Sequence, residues 1–312
     1  MVKRWNKIQV PLLILLGATL ASGADNEKAT ILRESALYSA PGANSQKTGQ
    51  VERGRDLTIL GRKDADGQPW FNISMAADPG AQITKEVSGW IPGAAVATAS
   101  TANGDEVVFG QAVASEHQAE ERGGRKNAAM DAMRLYARVP ELFPNSPLAA
   151  EGAWRSADIR WQLAKADFLR SGTQMDEKYL QQVVAKYPQT KPAQLAAYEL
   201  LEGKLCPEWR GLPDCPEKES AIYEQYVKEN PQSPKAAEAL YNAAWRQAAL
   251  ADMHRSDRQE DKAARSRKKA LDLTQELITK FPDSDWKPRA VSLAYMLDQN
   301  IAVYGAGATS AN

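Results

Sequence analysis

Four short segments of this chain repeat one order of residues, and they constrain its fold more than any other feature of the sequence. In each segment the last residue of a predicted helix precedes a proline, and a serine or threonine follows two positions after that proline. An alanine-rich amphipathic stretch then begins. The segments are Phe143–Ala150, Tyr187–Ala193, Asn230–Ala237 and Phe281–Asp285.

These segments predict helix junctions. A proline disfavours the helical conformation for the residue before it and so ends the preceding helix. A serine or threonine side chain can accept a hydrogen bond from a free N–H group at the start of the next helix. The residues in that position are Ser146, Thr190, Ser233 and Ser284. Pro147 and Pro234 are predicted at the first position of the following helix, where a missing N–H is tolerated.

The spacing of the junctions indicates a structural repeat. The junction prolines lie at positions 144, 188, 231 and 282, so successive junctions are 44, 43 and 51 residues apart. One helical hairpin fits each interval. Because repeated hairpins bury their apolar faces against their neighbours, we predict an α-solenoid of about eight or nine helices. Unrelated helix junctions that use the same residues are the alternative, and the regular spacing disfavours it.

Two of the repeated segments resemble a known family. The sequences FPNSPLAAEGAW from residue 143 and NPQSPKAAEALYNAA from residue 230 are similar to the tetratricopeptide-like (TPR-like) repeats of bacterial envelope proteins. Examples are outer-membrane assembly lipoproteins and the tetratricopeptide partner of the Tol-Pal system. The intervals here exceed the standard repeat of about 34 residues. The resemblance implies a TPR-like solenoid whose concave surface takes a peptide or helix from an envelope protein.

The N-terminal part of the chain has a different periodicity. Between residues 29 and 96, short apolar or alternating runs are separated by glycine- and proline-containing turns. This pattern is typical of a small β-barrel or sandwich. The predicted strands are Ile31–Tyr38, Gly49–Val51, Leu57–Leu60, Trp70–Met75 and Gly89–Ile91. The polar stretch Met75–Val87 is predicted to be an enlarged hairpin loop.

The order of blocks in this part resembles a bacterial Src-homology-3-like (SH3b-type) domain. The blocks are Ala36–Gly42, Gly49–Gly54, Leu57–Gly61, Trp70–Ile73 and Ser88–Pro92. Members of that family often bind peptidoglycan or protein ligands in an aromatic groove. The resemblance therefore implies Tyr38, Trp70 and Trp90 as ligand-binding residues. The alternative is that these aromatic residues fill the core of a small barrel, and it is stronger for the two tryptophans.

The first residues have the pattern of an export signal. Lys3, Arg4 and Lys7 precede a short apolar stretch, and small residues follow at positions 21–24. The apolar stretch is shorter than the roughly 20 residues that a membrane span needs. We therefore predict a periplasmic or secreted protein with no stable membrane span after cleavage. An uncleaved anchor is the alternative.

The two cysteines close a short loop. Cys206 and Cys215 bracket a segment that contains proline and glycine, and an exported protein encounters an oxidising compartment. A structural disulfide is the prediction, and it would contribute about 2 to 3 kcal/mol on the chain-entropy model. A redox or metal pair is the alternative, but the spacing is not Cys-x-x-Cys.

Neither the charge nor the motifs of the chain indicate an enzyme or a nucleic-acid-binding protein. The 39 basic and 39 acidic residues balance, whereas nucleic-acid-binding domains are usually basic. The basic run at residues 265–269 is predicted to be a solvated, salt-bridged helix face. His117 and His254 are the only histidines, and no nucleophile elbow, zinc motif or phosphate loop is present. We therefore predict no catalytic residues, no metal site and no cofactor.

Together these patterns predict a multidomain β + α protein. The predicted parts are a signal peptide at 1–24, an SH3-like barrel at 25–97, a linker at 98–110, a TPR-like solenoid at 111–304 and a disordered tail at 305–312. The predicted function is a non-enzymatic interaction scaffold of the bacterial cell envelope that binds a protein or peptide partner and, through the barrel, peptidoglycan or a peptide. The alternatives are a cell-wall-targeted enzyme or enzyme accessory, and a purely structural spacer.

Overall fold

The computed structural model of the protein describes residues 26–76, 86–172 and 176–305. The predicted signal peptide, most of the predicted loop between Met75 and Val87, and nearly all of the predicted tail lie outside these residues. In the described part, an antiparallel sheet of seven strands precedes nine α-helices, so the predicted β + α organisation is confirmed. None of the described helices is both long enough and apolar enough to cross a bilayer.

The sheet contains every predicted strand, with extended or divided boundaries. Its order is β3-β2-β6-β5-β4-β1-β7, and all neighbouring pairs are antiparallel. The predicted first strand is divided in two, because Leu32 leaves the ladder and donates its N–H to the carbonyl of Ala95. The strands are β1 (Glu27–Ile31), β2 (Ser35–Tyr38), β3 (Lys47–Val51), β4 (Asp56–Ala65), β5 (Gln68–Met75), β6 (Val87–Pro92) and β7 (Val96–Thr98).

One face of the sheet forms an apolar core. Ile31, Leu37, Ile59, Ile73 and Ile91 are almost fully buried in it. They come from different strands. Leu37, Ile59 and Ile91 alternate with exposed or half-buried neighbours, because successive side chains of a strand point to opposite faces. The alternation that predicted strands from the sequence therefore also identifies the core.

The helical part consists of helices that pack in sequence order. α1 packs against α2, α2 against α3, α3 against α4 and α5, α4 against α5, α6 against α7, α7 against α8 and α8 against α9. α5 and α6 meet through the rings of Tyr198, Tyr223 and Tyr226. The helices are α1 (Gly104–Glu120), α2 (Ala128–Leu142), α3 (Ala149–Ser171), α4 (Lys178–Lys186), α5 (Lys191–Glu199), α6 (Asp214–Glu229), α7 (Ala236–Ser256), α8 (Glu260–Lys280) and α9 (Lys287–Asp298).

The four repeated segments adopt one backbone conformation. The residue before each junction proline has φ between −124° and −129° and ψ between 51° and 63°. In every segment the N–H of the serine or threonine donates to the carbonyl of that pre-proline residue. The pre-proline residues are Phe143, Tyr187, Asn230 and Phe281. The sequence repeat therefore encodes a structural repeat at these four positions.

The predicted caps differ in detail from the structure. Only Thr190 accepts a hydrogen bond in the N-cap position, from the N–H of Ala193. The three serines instead accept from the N–H two residues further on, and the helix begins three residues after the serine. Pro147 and Pro234 therefore lie in a turn before α3 and α7 rather than at the first helical position. The carbonyl of each serine accepts a hydrogen bond from the N–H three residues further on. This bond forms an additional turn before the helix begins.

The predicted linker at 98–110 is much shorter in the structure. β7 continues to Thr98 and α1 begins at Gly104, so only residues 99–103 connect the two. These residues form hydrogen-bonded turns: the N–H of Thr98 donates to Oγ1 of Thr101, and the N–H of Gly104 donates to the Thr101 carbonyl. The hydroxyl groups of Thr98 and Thr101 help to close these turns.

The sheet contacts the helical part directly at α2. The turn at Gly54 lies so close to α2 that a Cβ atom there would be 2.5 Å from Cβ of Arg134 and 2.9 Å from N of Leu135. Next to this contact, Nη1 of Arg134 lies 2.7 Å from a carboxylate oxygen of Glu52. A buried apolar layer that includes Ala97 of β7 and Leu135 of α2 continues the contact. The sheet and the first helices are therefore packed against each other.

The loop between the cysteines is attached to the helices by a buried carboxylate. The Sγ atoms of Cys206 and Cys215 lie at disulfide distance, with Cα atoms 6.0 Å apart, in agreement with the prediction. Glu219 of α6 is 1% exposed and accepts hydrogen bonds from the N–H of Cys206 and from Nε1 of Trp209. It also lies 2.6 Å from Nε of Arg246 on α7. One side chain thus connects the loop, α6 and α7.

Candidate functional site

The three aromatic residues predicted to bind a ligand lie close together, but they are not equally accessible. Trp70 is 1% exposed, and its Nε1 donates to the carbonyl of Ala65 at 3.1 Å. The ring of Tyr38 packs edge-on against Trp70, with ring centroids 5.2 Å apart. Tyr38 and Trp90 are half-buried and lie opposite each other on β2 and β6, so their side chains share one face of the sheet.

Trp70 is therefore a buried supporting residue, as the core alternative expected, and not a surface that a ligand could contact. It lies outside the main apolar core of the sheet. A ligand at this face would reach Tyr38 and Trp90 only.

The helical part has a second candidate site, a row of three clefts. We call α2, α4, α6 and α8 the pre-junction helices, because each ends at one of the four junctions. The post-junction helices α3, α5, α7 and α9 follow them. α3 packs against α5, and α7 against α9, whereas a cleft separates each pre-junction helix from the next. Each cleft has the intervening post-junction helix as its floor.

The first cleft lies between α2 and α4 and has a volume of about 320 Å³. The second lies between α4 and α6, with about 520 Å³, and the third between α6 and α8, with about 600 Å³. These volumes are in the range of ligand-binding clefts. The pre-proline residues Tyr187, Asn230 and Phe281 line the first, second and third cleft respectively.

The clefts follow one another along the helices: the second and third share lining residues on α6, whereas the first and second lie on either side of α4. Val183 of α4 lines the first cleft and the adjacent Val184 lines the second, while Ala221 and Gln225 of α6 line both the second and the third. An extended ligand could therefore pass from one cleft to the next across a single helix. The repeated junction places the same kind of cleft at three successive positions.

The first cleft is predominantly cationic. Arg138, Arg160 and Lys186 line it, together with one carboxylate, Glu141. Nη1 of Arg138 lies 2.6 Å from the Glu141 carboxylate. Burial raises the pKa of the Glu141 carboxyl above its usual value, and the positive charge of Arg138 opposes that rise. The guanidinium carbon of Arg160 lies 4.0 Å from the ring centroid of Tyr179, in a cation–π contact.

The other two clefts differ in chemistry. In the third, Lys269 pairs with Glu224 and Lys280 pairs with Glu276, each at 2.7 Å, so their charges are compensated. The second cleft is lined mainly by apolar side chains. They include Val184, Ala197, Leu200, Leu201 and Ile222.

Three of the four carboxylates that line the clefts, Glu141, Glu224 and Glu276, are each paired with a basic side chain of the same cleft. Within the described ranges, no group of three or more His, Cys, Asp or Glu residues could hold a metal ion. His117 lies on the surface of α1, where Nδ1 is 3.3 Å from Glu121.

The basic run on α8 is a salt-bridged face, as the sequence indicated. Lys268 pairs with Asp272 at 2.7 Å and Lys269 with Glu224 at 2.7 Å. Arg267 donates to the carbonyl of Leu297 on α9. The run therefore stabilises contacts between helices.

The sequence analysis did not identify Arg138, Arg160 and Lys186. They are scattered over three helices, and nothing in their local sequence distinguishes them from ordinary surface cations. The only signal was indirect: each cleft has a pre-proline junction residue in its lining.

Comparisons with known proteins do not assign the chain to a family. No family model matches it, and no curated protein matches it. Among solved structures it is similar to one described as "DHF58 filament", with 19% sequence identity and a TM-score of 0.24. That similarity covers 63% of this chain and 96% of the other. A similarity at this level supports no conclusion about fold or function.

Proposed function

We propose that the protein is an exported, non-enzymatic interaction protein of the bacterial cell envelope. The observation that carries the proposal is the row of three successive clefts between the pre-junction helices, which would hold an extended segment of a partner protein. The cysteine pair at disulfide distance supports a periplasmic or secreted location, because disulfides persist in oxidising compartments.

The proposal includes an α-solenoid of TPR-like hairpins. Four junctions with the same backbone conformation, and helices that pack in sequence order, support it. The sequence favoured the concave face as the partner site. We propose that the partner lies in the clefts between the pre-junction helices, because the post-junction helices α3 and α5, and α7 and α9, pack against each other.

The proposal also includes an SH3-like barrel with a second ligand site. Seven short antiparallel strands with an apolar core on one face support this fold. Tyr38 and Trp90 would contact peptidoglycan or a peptide on the opposite face. Two weak sites on one chain increase overall affinity, since binding at one raises the local concentration at the other.

A site-specific crosslinking experiment tests the clefts. A photo-crosslinking amino acid at Gln182 or Glu276, which line the first and third clefts, should capture a partner protein in the native envelope. The matched control positions are the neighbouring exposed residues Gln181 and Gln275, which point about 100° away around each helix. We expect crosslinked product from the cleft positions and at most about a tenth as much from the controls.

Equal crosslinking at the cleft and control positions would contradict the proposal, because it would show no preference for the clefts. Complete absence of crosslinks at all four positions would contradict it as well. Mass spectrometry of the product from Gln182 and Glu276 should identify the same partner at both, since an extended segment that follows the row of clefts would reach both positions.

A sedimentation experiment tests the barrel. The full chain should co-sediment with purified peptidoglycan, and Trp90→Ala should weaken that binding about tenfold through loss of aromatic contact area. The control is Leu60→Ala on β4, which removes another surface-exposed apolar side chain (39% exposed) from the same sheet. Thermal unfolding of both variants separates lost binding from lost folding. Identical co-sedimentation of the two variants would show that Trp90 does not contribute to peptidoglycan binding.

A further inference from the structure

We infer that the first cleft binds an acidic side chain of an extended peptide segment, and that the second cleft binds an apolar side chain of the same segment. The inference rests on the function proposed above and specifies which partner chemistry the row of clefts recognises. Its basis is a set of positive charges in the first cleft that the described part of the chain does not compensate.

Two of the three cations in the first cleft have no anionic partner. In the described part of the chain, no carboxylate lies within ion-pair distance of Arg160 or Lys186, whereas Arg138 pairs with Glu141. Arg160 is half-buried and is held by the ring of Tyr179 instead, whereas Lys186 is exposed at the edge of the cleft and lies over the ring of Tyr187. Removing a charge from water without a counter-charge is costly, so a half-buried cation without a partner indicates an absent anion.

Polar atoms without partners are concentrated at the same cleft. In the described side chains, six buried polar atoms have no hydrogen-bond partner, and three of them belong to residues that line this cleft: Nε of Arg138, Nε of Arg160 and the hydroxyl of Tyr187. Buried polar groups in proteins are nearly always hydrogen-bonded, so each such atom calls for an explanation. An oxyanion that reorients these side chains would accept hydrogen bonds from all three residues.

The third cleft serves as an internal comparison. It has the same position in the repeat and also contains three lysines, Lys228, Lys269 and Lys280. Two of these are paired with glutamates that line the same cleft. Lys228 of the third cleft and Lys204 and Lys218 of the second also have no ion pair among the described residues, but all three are exposed. Arg160 of the first cleft differs from them because it is half-buried. The anion could be a carboxylate or a phosphate. We favour a side-chain carboxylate, because the residues beside it in a protein partner can extend to the next cleft.

The width of the helix between the first two clefts sets the spacing of the recognised residues. The first and second clefts are separated by α4, and a helix with its side chains is about 10 Å wide. An extended peptide advances about 3.3 Å per residue, so about three residues span that distance. Because the lining of the second cleft is mainly apolar, the expected motif is an acidic residue with a large apolar residue about three positions away.

Selection of random linear peptides displayed on phage against the full chain tests the inference. We expect enrichment of Asp or Glu with an apolar residue at that spacing. For a synthetic peptide of the selected sequence, measured by fluorescence anisotropy, replacing the acidic residue by its amide should weaken binding about tenfold or more, because a charge-assisted hydrogen bond is lost. The Arg160→Glu/Lys186→Glu double variant should instead select Lys or Arg at the same position.

The control is the Lys262→Glu/Arg265→Glu double variant, which makes the same change of charge on exposed residues of α8 that do not line these clefts. It should select the same acidic peptides as the wild type. If the double variant of the first cleft does not fold, as judged by circular dichroism, Arg160→Gln removes the charge with a smaller perturbation and should still weaken binding of the acidic peptide.

The outcomes separate this inference from the proposed function. Enrichment of peptides whose acidic residue can be replaced without loss of binding would overturn the inference and leave the interaction function intact. Thermal stabilisation by inorganic phosphate, with no acidic peptide enriched, would overturn it in favour of a small-anion site. A selection that enriches no peptide at all would overturn the proposed function, and this inference with it.

Discussion

Replacing Glu219 by glutamine should lower the free energy of unfolding by about 3 to 5 kcal/mol, the range for a buried ion pair that loses one partner. The Glu219 carboxylate accepts hydrogen bonds from the N–H of Cys206 and from Nε1 of Trp209, and it compensates the charge of Arg246. A glutamine would present its NH2 group to at least one of these three donors. Arg246, whose side chain is 11% exposed, would remain buried without a counter-charge.

Urea unfolding followed by circular dichroism measures this change. Tryptophan fluorescence should change as well, because Trp209 stacks on Trp245 with ring centroids 5.3 Å apart. The control is Glu208→Gln in the same disulfide loop, which removes the exposed Glu208–Arg210 pair and should change stability by less than about 1 kcal/mol. Similar unfolding midpoints for the two variants would show that the buried carboxylate does not hold the loop.

Replacing Gly54 by alanine should also destabilise the protein strongly, by about 3 kcal/mol in total. Gly54 has φ of +69°, where any residue with a Cβ atom is strained, and its new Cβ would lie 2.5 Å from Cβ of Arg134. The turn would have to move away from α2, which would weaken the contact between the sheet and the helices. The effect therefore combines backbone strain with loss of packing between the two parts of the chain.

Gly67→Ala is the matched control for this effect. Gly67 has φ of +71°, almost the same as Gly54, but nothing lies within 4 Å of a Cβ atom built there. The free energy of unfolding of Gly67→Ala should fall only because of the strained backbone, by about 1 to 2 kcal/mol. The difference between the two variants in urea unfolding measures the contact with α2. Equal losses would mean that the sheet and α2 do not depend on each other for stability.

The elements that the sequence predicted well depend on local backbone preferences. The junctions at Phe143, Tyr187, Asn230 and Phe281 share one conformation because a proline restricts the residue before it wherever it occurs. The strands were also predicted, because alternating apolar residues are typical of a sheet with one buried face. Two differences from the sequence prediction are also local. At Pro147, the Ser146 carbonyl forms a turn where the start of a helix was predicted. In the predicted linker, the Thr101 hydroxyl closes a turn, which the residue types alone did not indicate.

The candidate site was much less predictable. Tyr38, Trp70 and Trp90 were identified together, but the burial of Trp70 depends on the ring of Tyr38, which comes from a different strand. Arg160 and Lys186 were missed, because a cation is notable only when its surroundings lack a counter-charge. Those surroundings are formed by three helices that the sequence separates by many residues.

The sequence alone determined where helices end, where strands run and which cysteines can meet, because proline, glycine and the period of apolar residues act over a few positions. Only the tertiary structure decided that Gly54 touches α2, that Glu219 holds the disulfide loop, and that Arg160 is half-buried in the first cleft without a paired carboxylate. The physical reason is that burial and electrostatic compensation depend on every group within a few ångströms, and most of those groups are distant along the chain.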